Sequence, residues 1–345
     1  MRATERPVVK VAVDAMGGDY APQEIVLGTI QAIRDDRGKG IEVILVGLEK
    51  EIKAELSKYD VTGLPITIVN TTQVIRDGES PVEALKHKPD ASILVAMQLL
   101  KRNKVEAVLS MGSTGTVMVA AIQILGTIAG IKRPAVGVTL WGLAPNTVMF
   151  DLGTNVDCRP RDLFNFATIG SVIAKKVSKI DNPTVAILSN GAEEGKGNRL
   201  VKETYNFFKE SDFNFIGNVE GNDIPTGKAN VIVCDGFVGN VLVKYSEGLG
   251  DKLIEIVKER LEDKLAEKEI SSICNDLFEV THIADVLGGA MIYGLDGLVW
   301  IGHGRSKASQ FAQSLWQVKL AAETGLSEEI KNELEKIQYR DIGGE

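Results

Sequence analysis

The sequence predicts an α/β fold in three layers, with a mostly parallel β-sheet between two layers of helices. Short runs rich in valine and isoleucine alternate with segments of helical periodicity along most of the 345 residues, a succession typical of parallel sheets covered on both faces. The chain also contains 35 glycines, roughly one residue in ten against an average of about 7%, so we expect many tight turns. At this length, we expect two interlocked lobes that share one core.

Individual elements follow from their apolar patterns. The first strand is predicted at residues 8–13. Pro22 then suits the first turn of a helix that ends at Arg34, because the fixed φ of proline matches the helical conformation. Another helix is predicted at residues 91–102. The other predicted strands cover residues 41–46, 66–69, 105–110, 184–188, 214–219, 231–234 and 298–301.

We assign residues 8–330 to a single domain with two lobes and residues 331–345 to a C-terminal tail. Within the domain, residues 248–269 predict an amphipathic helix, because apolar residues recur at helical spacing in an otherwise charged segment. Residues 251–269 carry five basic and seven acidic side chains, so their charge does not favour anionic lipid. The apolar face is interpreted as a packing or dimer surface or, alternatively, as a dock for a membrane or an acyl chain.

The charge balance argues against nucleic acid as a partner. Lys and Arg total 39 and Asp and Glu total 47, a net charge of −8, so an anionic partner needs a local basic patch.

The three cysteines show no C-x-x-C spacing, which favours a reducing cytoplasm, and the N-terminus shows no apolar stretch typical of a secretory signal. The charge-free run at 107–131 is interpreted as strand, glycine loop and helix rather than as a membrane span.

Four predicted strands end in loops of glycine and small polar residues. In open parallel sheets, ligands bind at the carboxyl ends of the strands. Glycine lets backbone N–H groups approach an anion, and the N-terminus of a following helix adds about half a positive charge. These loops are therefore interpreted as phosphate-binding. They are DAMGGDYAP (14–22), SMGSTGT (110–116), DGFVGN (235–240) and GHGRS (302–306).

Several familiar site classes lack their motifs. The nearest dinucleotide fingerprint has Lys307 in place of its third glycine, and Gly191 and Gly195 are one residue too close for a P-loop. We expect neither a zinc site nor a serine nucleophile elbow, and Cys158 is interpreted as a small buried residue. The acids near strand ends are interpreted as caps of loop N–H groups or, alternatively, as Mg²⁺ ligands. They are Asp14, Asp19, Asp151, Asp157 and Asp235.

Two basic side chains in glycine loops are candidates for contacts to an anion. His303 stands between two glycines at a strand end and suits hydrogen-bond donation to an oxyanion, although an ordinary turn histidine fits as well. Lys196 lies in EEGKGN (193–198), where flanking glycines allow its ammonium to approach a charged ligand. A surface lysine in a loop is the alternative.

Together, these segments resemble the phosphate acyltransferase family of bacterial phospholipid synthesis over nearly the whole chain. The chain departs from the family pattern at a few positions. Ser113 stands where Asn is frequent, Thr116 and Thr154 stand where Ala is usual, and Ser189 replaces an Asn, which leaves an amide contact from that loop open. Besides the motifs above, the resemblance rests on GIKRPA (130–135), DLGTNVD (151–157), CDGFVGNVLVK (234–244) and GGAMIYGLDG (288–297).

The resemblance implies an enzyme that converts acyl-[acyl carrier protein] and inorganic phosphate into acyl phosphate and free carrier protein in phospholipid biosynthesis. It also implies a homodimer with an α/β/α fold related to phosphotransacetylases and isopropylmalate dehydrogenases. We expect no cofactor and no metal. The expected location is the cytoplasm, with peripheral contact to the membrane as an option and hand-off of the product to a membrane glycerol-3-phosphate acyltransferase.

We expect direct transfer, in which phosphate attacks the thioester without a covalent enzyme intermediate. Phosphate is already a nucleophile at neutral pH, so the protein has to position two anionic reactants and stabilise a tetrahedral oxyanion. Lys196 and Asn240 match family positions implicated in the active site and are expected to contact the oxyanion or phosphate, oriented by Asp235 and His303. Substrate contacts are predicted for Gly112, Ser113, Thr114, Gly115, Gly239 and Ser306.

A basic cluster is predicted to dock the strongly acidic acyl carrier protein, with a solvated charged face as the alternative. Two other functions stay open from the residues alone. One is a metal-dependent NAD dehydrogenase whose strand-end aspartates hold Mg²⁺, and the other is a non-catalytic carrier of acyl chains that uses the amphipathic helix. The candidate basic clusters are Arg76 with Lys86, His87 and Lys88, then Lys101 with Arg102 and Lys104, and finally Lys132 with Arg133.

Overall fold

A computed structural model describes residues 8–338 except 77, 129 and 141. The chain divides into two compact units. The first unit consists of residues 1–128 and 287–328, and the second consists of residues 129–286 and 329–345. The assignment of residues 8–330 to a single domain stays a prediction.

The first unit begins with alternating strands and helices, as the sequence predicts. In chain order they are β1 (Val9–Asp14), α1 (Gln23–Arg34), β2 (Ile41–Gly47), α2 (Glu49–Leu56), β3 (Ile66–Asn70), α3 (Pro81–His87), α4 (Ser92–Lys101), β4 (Ala107–Ser110) and α5 (Thr114–Ile124).

The second unit follows, and the chain then returns to the first. The elements of the second unit are β5 (Ala135–Leu140), β6 (Ala144–Phe150), α6 (Pro160–Lys176), β7 (Thr184–Leu188), α7 (Arg199–Lys209), β8 (Asn214–Val219), β9 (Val231–Val233), α8 (Gly236–Leu261), α9 (Glu267–Thr281) and α10 (Ile283–Val286). The last elements of the chain are β10 (Ala290–Tyr293), β11 (Leu298–Ile301), α11 (Ala308–Glu323) and α12 (Leu326–Gln338).

The strands of the first unit lie in the order β3-β2-β1-β4-β11-β10. All are parallel except β10, which pairs antiparallel with β11. The chain moves outward from β1 to β3 and then crosses back to β4, so right-handed connections place α1 and α2 on one face of the sheet and α4 on the other. Because the direction reverses between β1 and β4, a crevice is expected at the carboxyl ends of these two strands.

The strands of the second unit lie in the order β5-β6-β9-β7-β8. Strands β6, β9, β7 and β8 are parallel, and β5 pairs antiparallel with β6. The carboxyl ends of β6, β9 and β7 therefore lie next to one another at the same edge of this sheet.

Each unit has its own apolar core. In the first, Val11, Val43 and Leu109 on the central strands and Phe311 of α11 are fully buried. Helices α1 and α11 approach closely because Gly28 lacks a side chain: a Cβ there would lie 2.6 Å from the Ala308 carbonyl oxygen. In the second unit, the core includes an aromatic cluster of Phe164, Phe207, Phe208, Phe213 and Phe215.

The α/β fold class with a mostly parallel sheet is confirmed. The predicted strands at 184–188, 214–219 and 298–301 have the observed bounds. Strands β5, β6 and β10 were not predicted. The antiparallel pairs to which they belong interrupt the regular strand-helix succession, and a four-residue apolar run such as β10 does not by itself distinguish a strand from other buried segments.

The predicted helix at 248–269 has different bounds in the structure. Helix α8 begins earlier, directly after β9, and a turn separates its end at Leu261 from α9. A new helix starts there because the Glu269 carboxylate accepts the N–H of Ala266.

The predicted tail at 331–345 also differs, since α12 continues to Gln338 and buries Ile330 and Leu334. The rest of that tail lies outside the described residues.

The charge-free run at 107–131 contains β4 and α5, in line with its interpretation as strand, loop and helix. In the part of the chain that the structure describes, no helix is both long and apolar enough to cross a membrane.

Two glycine-to-alanine substitutions test the close packing of α1 on α11. We expect Gly28→Ala to destabilise the protein by about 1–3 kcal/mol, because the new methyl group overlaps the backbone of α11. Gly248→Ala is the matched control: it lies in α8 with open space around its Cβ position and should stabilise the helix by about 0.5–1 kcal/mol. Urea unfolding followed by circular dichroism measures both. Equal stability of the two variants would contradict the close approach.

Candidate functional site

Three glycine loops of the first unit meet at the carboxyl ends of β1, β4 and β11. These strands are neighbours, with β4 in the middle. The Asp19 N–H donates to the Gly304 carbonyl (2.9 Å), and the Gly302 N–H donates to the Ser110 carbonyl (3.0 Å). The loop after β11 thus contacts both of the others. The fourth predicted loop, at 235–240, belongs to the second unit and is not a loop: Asp235 is the N-cap of α8, and residues 236–240 form the first turns of that helix.

A cavity of about 210 Å³ opens beside the loops after β1 and β4, where the direction of the connections reverses. One water molecule occupies about 30 Å³ in the liquid, so the cavity has room for a tetrahedral oxyanion. Its apolar wall includes Val74, Ile75, Ile93 and Val117. Its polar wall includes Asp14, Gly17, Arg76, Ser92, Gly112, Ser113 and Thr116.

The carboxylate of Asp14 is buried in the wall of this cavity. Its Oδ2 accepts a hydrogen bond from Ser110 Oγ (2.7 Å), and its Oδ1 accepts one from the Met16 N–H (3.3 Å). Burial raises the pKa of Asp14, and hydrogen bonds from Ser92, Ser110 and Met16 oppose this shift. Asp14 therefore binds a proton more readily than an exposed aspartate does.

Gly17 allows the backbone of its loop to lie close to this carboxylate. A Cβ on Gly17 would lie 2.6 Å from Asp14 Oδ2, 2.8 Å from the Gly112 nitrogen and 2.9 Å from Ser110 Oγ. No side chain fits there without displacing these groups. The requirement for glycine at this position thus comes from the convergence of polar atoms around it.

Helix α5 begins at the cavity. Ser113 is its N-cap, and the Ser113 hydroxyl accepts the Thr116 N–H at 3.4 Å. Of the four substrate contacts predicted in this loop, Gly112 and Ser113 line the cavity. Thr114 and Gly115 form the exposed first turn of the helix and are not among the lining residues. The positive end of the helix dipole is directed towards this region.

His303 and Ser306 lie in the loop after β11. His303 is half-buried, and its carbonyl accepts the Ser306 N–H at 2.9 Å. Ser306 is buried. Neither residue is among those that line the cavity, and their predicted roles as an orienting group and a substrate contact stay predictions.

In the second unit, Asp151 organises the loop after β6. Its Oδ1 accepts the N–H groups of Gly153 (3.2 Å) and Thr154 (3.1 Å), and its Oδ2 accepts both the N–H and the side-chain amide of Asn155 (2.8 Å each). The side chain is fully buried, and burial raises its pKa. This carboxyl is saturated by its own loop, which fits a cap rather than a ligand of Mg²⁺.

The first turns of α8 pack on this loop. The Gly236 N–H donates to the Asn155 carbonyl (2.7 Å), and a Cβ on Gly239 would overlap the Asp151 carbonyl oxygen. Asp235 caps the helix by accepting the Val238 N–H (2.9 Å). Gly239 is thus buried in a backbone contact, whereas Asn240 beside it is exposed, with its amide near Gly153.

Lys196 lies in the loop after β7. Its N–H donates to the Glu193 carbonyl (3.0 Å), which also accepts Nδ2 of Asn218 from the neighbouring strand β8 (3.0 Å). The Lys196 stem lies over Gly191, where a Cβ would be 2.7 Å from its Cγ. The ammonium is exposed, and the described residues place no carboxylate within ion-pair distance of it.

Asn218 was not predicted as a site residue, yet it braces the Lys196 turn. Its side chain is buried, and it reaches a loop 25 residues earlier in the chain. Ser189, directly after β7, has a buried hydroxyl that makes no hydrogen bond within the described part of the chain. Asn218, whose neighbourhood on β8 pairs with Ile187 of β7, supplies the amide that reaches the Lys196 turn.

The cysteines near these loops are not activated. Burial, followed by the nearby charges of Asp151 and Asp162, raises the pKa of Cys158 to about 12. Burial also raises the pKa of Cys234 well above its usual range. Both remain protonated at neutral pH, so neither supplies a thiolate nucleophile.

No cluster of three or more His, Cys, Asp or Glu side chains suited to a metal ion is present among the residues described.

Solved structures share this fold. A phosphotransacetylase from Streptococcus pyogenes aligns with a TM-score of 0.58 and 18% identity, over 95% of this chain and 94% of that protein. A branched-chain phosphotransacylase from Enterococcus faecalis aligns with a TM-score of 0.57 and 14% identity, over 92% of this chain and 99% of that protein. The chain therefore has the α/β fold of these two proteins.

Sequence comparison identifies the family. The model for the family described as fatty acid synthesis protein matches residues 9–329. A phosphate acyltransferase from Dictyoglomus turgidum is 43% identical over 96% of this chain and 99% of its own length, and one from Clostridium novyi is 37% identical over 95% and 99%. The chain belongs to this family and is an acyltransferase of the phosphate acyltransferase group. Membership favours acyl transfer over the dehydrogenase and lipid-carrier alternatives.

Asn218→Leu tests whether the brace positions Lys196. We expect the Lys196 amide to exchange with deuterium about 5- to 10-fold faster, and acyl transfer to slow by a similar factor, because one hydrogen bond of roughly 1 kcal/mol is lost. Asn214→Leu is the matched control on the same strand, since its amide bonds to Asn182 rather than to the loop. Unchanged exchange at Lys196 in Asn218→Leu would show that the turn holds without this amide.

Proposed function

We propose that this enzyme transfers the acyl group of acyl-[acyl carrier protein] to inorganic phosphate, giving acyl phosphate and free carrier protein for phospholipid biosynthesis. The observation that carries the proposal is the first-unit cavity. The guanidinium of Arg76 and the hydroxyls of Ser113 and Thr116 line this cavity beside the N-terminus of α5, and such donors together with the positive end of a helix dipole suit a tetrahedral phosphate. The name phosphate acyltransferase, which the relatives carry, supports phosphate as a substrate and acyl transfer as the reaction. The acyl carrier protein as the acyl donor is supported by the resemblance of the sequence motifs.

The proposed reaction is a direct displacement at the thioester carbonyl. An oxygen of hydrogen phosphate attacks this carbon, forms the new C–O bond and generates a tetrahedral oxyanion. Collapse of the oxyanion breaks the C–S bond, and the carrier thiol leaves with the proton that hydrogen phosphate loses. The raised pKa values of Cys158 and Cys234 support a route without an acyl-cysteine intermediate.

Lys196 and Asn240 are the proposed donors to the oxyanion or the phosphate. Both side chains are exposed at the carboxyl edge of the second-unit sheet, Lys196 in the loop after β7 and Asn240 in the first turns of α8. The described residues place no carboxylate against the Lys196 ammonium, so it is available to a charged reactant. Asp235 and His303 are proposed to orient such donors. Gly239 and Ser306, both buried, are proposed to shape the substrate site through the backbone.

A trapping assay with Lys196→Ala tests this function. Enzyme, long-chain acyl carrier protein and phosphate are mixed, and acyl phosphate is captured with hydroxylamine. We expect phosphate-dependent product with the wild type, and about 10²–10³-fold slower turnover with Lys196→Ala, the usual loss for one oxyanion donor.

Lys202→Ala, an exposed lysine on α7, serves as the control and should turn over normally. Absence of acyl phosphate with folded wild-type enzyme would refute the function. A normal rate for Lys196→Ala would refute only the role of that lysine.

The carrier protein is proposed to dock on the cluster formed by Arg76, Lys86, His87 and Lys88. Arg76 lines the cavity, and α3, which carries Lys86 and His87, contacts α5 at the cavity. Lys86 and His87 are strongly exposed, whereas Lys88 is held by Glu79 and the Val74 carbonyl. By contrast, Arg102 and Lys104 precede β4 and so lie at the amino end of that strand, away from the cavity.

Charge reversal distinguishes these clusters. Lys86→Glu with His87→Glu should raise the KM for acyl carrier protein roughly fivefold at low salt and leave kcat unchanged, because exposed charges contribute little each and are screened by salt. Arg102→Glu with Lys104→Glu is the control and should leave the KM unchanged. An increase in the control pair alone would place the dock elsewhere.

A homodimer is proposed through α8. Large apolar side chains recur every fourth residue along this helix and are exposed in the single chain, a pattern that another copy of the same helix would cover. This supports the dimer interpretation of the amphipathic segment. The residues are Phe237, Val241, Tyr245, Leu249 and Leu253.

The proposed location is the cytoplasm. The three cysteines Cys158, Cys234 and Cys274 are free thiols, which suits a reducing compartment. Acyl phosphate is a reactive acyl donor, so an acyltransferase has to consume it. Peripheral membrane contact and hand-off to a membrane glycerol-3-phosphate acyltransferase would supply that step.

A further inference from the structure

The phosphate cavity contains a feature that anion binding alone does not explain. Asp14 is 4% exposed and lines the cavity together with the groups proposed to hold phosphate. A carboxylate repels a bound oxyanion, and the repulsion is strong where water is scarce. A cavity built only to attract negative charge would have an amide or a hydroxyl at this position.

The hydrogen bonds of Asp14 leave room for one more donor. An ionised carboxylate has about four acceptor positions. Ser110 Oγ, the Met16 N–H and the Ser92 hydroxyl occupy three of them. A ligand that brings its own O–H group can use the remaining position.

The donors that remain for a ligand come from other parts of the cavity wall. The Gly112 N–H donates to Ser110 Oγ (3.0 Å), and Ser110 Oγ donates to Asp14 Oδ2 (2.7 Å), so both are engaged within the protein. The guanidinium of Arg76 and one hydroxyl of the hydrogen-bonded pair Ser113 and Thr116 also line the cavity and can donate to an anion. The surroundings therefore suit an oxyanion with one protonated and several unprotonated oxygens.

We propose that Asp14 selects a protonated tetrahedral oxyanion, hydrogen phosphate, over sulfate. Hydrogen phosphate donates its P–OH to Asp14 and accepts hydrogen bonds with its other oxygens. Sulfate carries no proton at neutral pH, so it faces the carboxylate with two negatively charged oxygens opposed. The proposal rests on the proposed function, in that phosphate occupies this cavity.

Two further observations fit this assignment. Burial raises the pKa of Asp14, which makes it a better acceptor for the P–OH proton. Arg76, the other ionisable side chain among the described residues that line the cavity, offers charge-assisted donors to the unprotonated oxygens. Asp14 is thus a specificity residue for the anion, while the donors around it supply the affinity.

Titration calorimetry with phosphate alone and with sulfate alone tests the proposal on the full-length enzyme. We expect the wild type to bind phosphate at least about tenfold more tightly than sulfate, since one hydrogen bond to a charged group commonly accounts for a factor of 10 to 100. In Asp14→Asn, the amide is able to donate to sulfate. Sulfate should then bind about as well as phosphate, and it should inhibit acyl phosphate formation competitively with phosphate.

Asp19→Asn is the matched control, because this exposed carboxyl belongs to the same loop but not to the cavity wall. Its preference for phosphate should equal that of the wild type. If Asp14→Asn does not fold, Ser92→Ala, which removes one hydrogen bond to the same carboxylate, should still alter the phosphate-to-sulfate ratio.

The outcomes separate this inference from the proposed function. A wild type that forms acyl phosphate but binds sulfate as tightly as phosphate would overturn the selection by Asp14 and leave the function intact. An Asp14→Asn variant that still rejects sulfate would do the same. A wild type that binds phosphate selectively without forming acyl phosphate would instead refute the function.

Discussion

The burial of one carboxylate at a reversal point of the sheet is the constraint on which the first unit depends. Asp14 and Ser110 are 96 residues apart in the chain and 2.7 Å apart in space, because β1 and β4 are paired neighbours. A buried charge is costly unless hydrogen bonds compensate it. The surrounding serines, the glycine at position 17 and the start of α5 are arranged around this requirement, and together they leave a cavity.

The second unit also contains a buried aspartate at the end of a strand, but this carboxyl has a different environment. Asp151 also follows a strand, is buried and has a raised pKa. Its loop supplies all of its hydrogen bonds, so the carboxyl serves to hold backbone in place. Asp14 receives one hydrogen bond from its own loop, at Met16, and two from separate segments, at Ser92 and Ser110, and it lines a cavity. Whether a buried aspartate is a cap or a ligand contact therefore depends on the origin of its hydrogen bonds.

Local signals predicted much of the fold. Branched apolar runs located β7, β8 and β11 within their observed bounds, and glycine loops marked the ligand-binding edges. Such local signals do not predict which strands pair when they are far apart in the chain. Nothing in the residues near Asp14 predicts that Ser92 and Arg76 line the same cavity, since strand order brings them together. Asn218 was not predicted for the same reason: it lies on β8, and the loop that it contacts follows the neighbouring strand β7. The family motifs indicated Lys196 and Asn240, and their roles remain proposals.

A crystal structure of the enzyme soaked in arsenate tests the central claim most directly. Arsenate is a protonated tetrahedral oxyanion like phosphate, and arsenic is located by its anomalous scattering. The account predicts one arsenic site in this cavity, with an As–OH oxygen in hydrogen-bond distance of the Asp14 carboxylate and an unprotonated oxygen near the guanidinium of Arg76. Arsenate bound elsewhere, with this cavity closed by side chains, would contradict it.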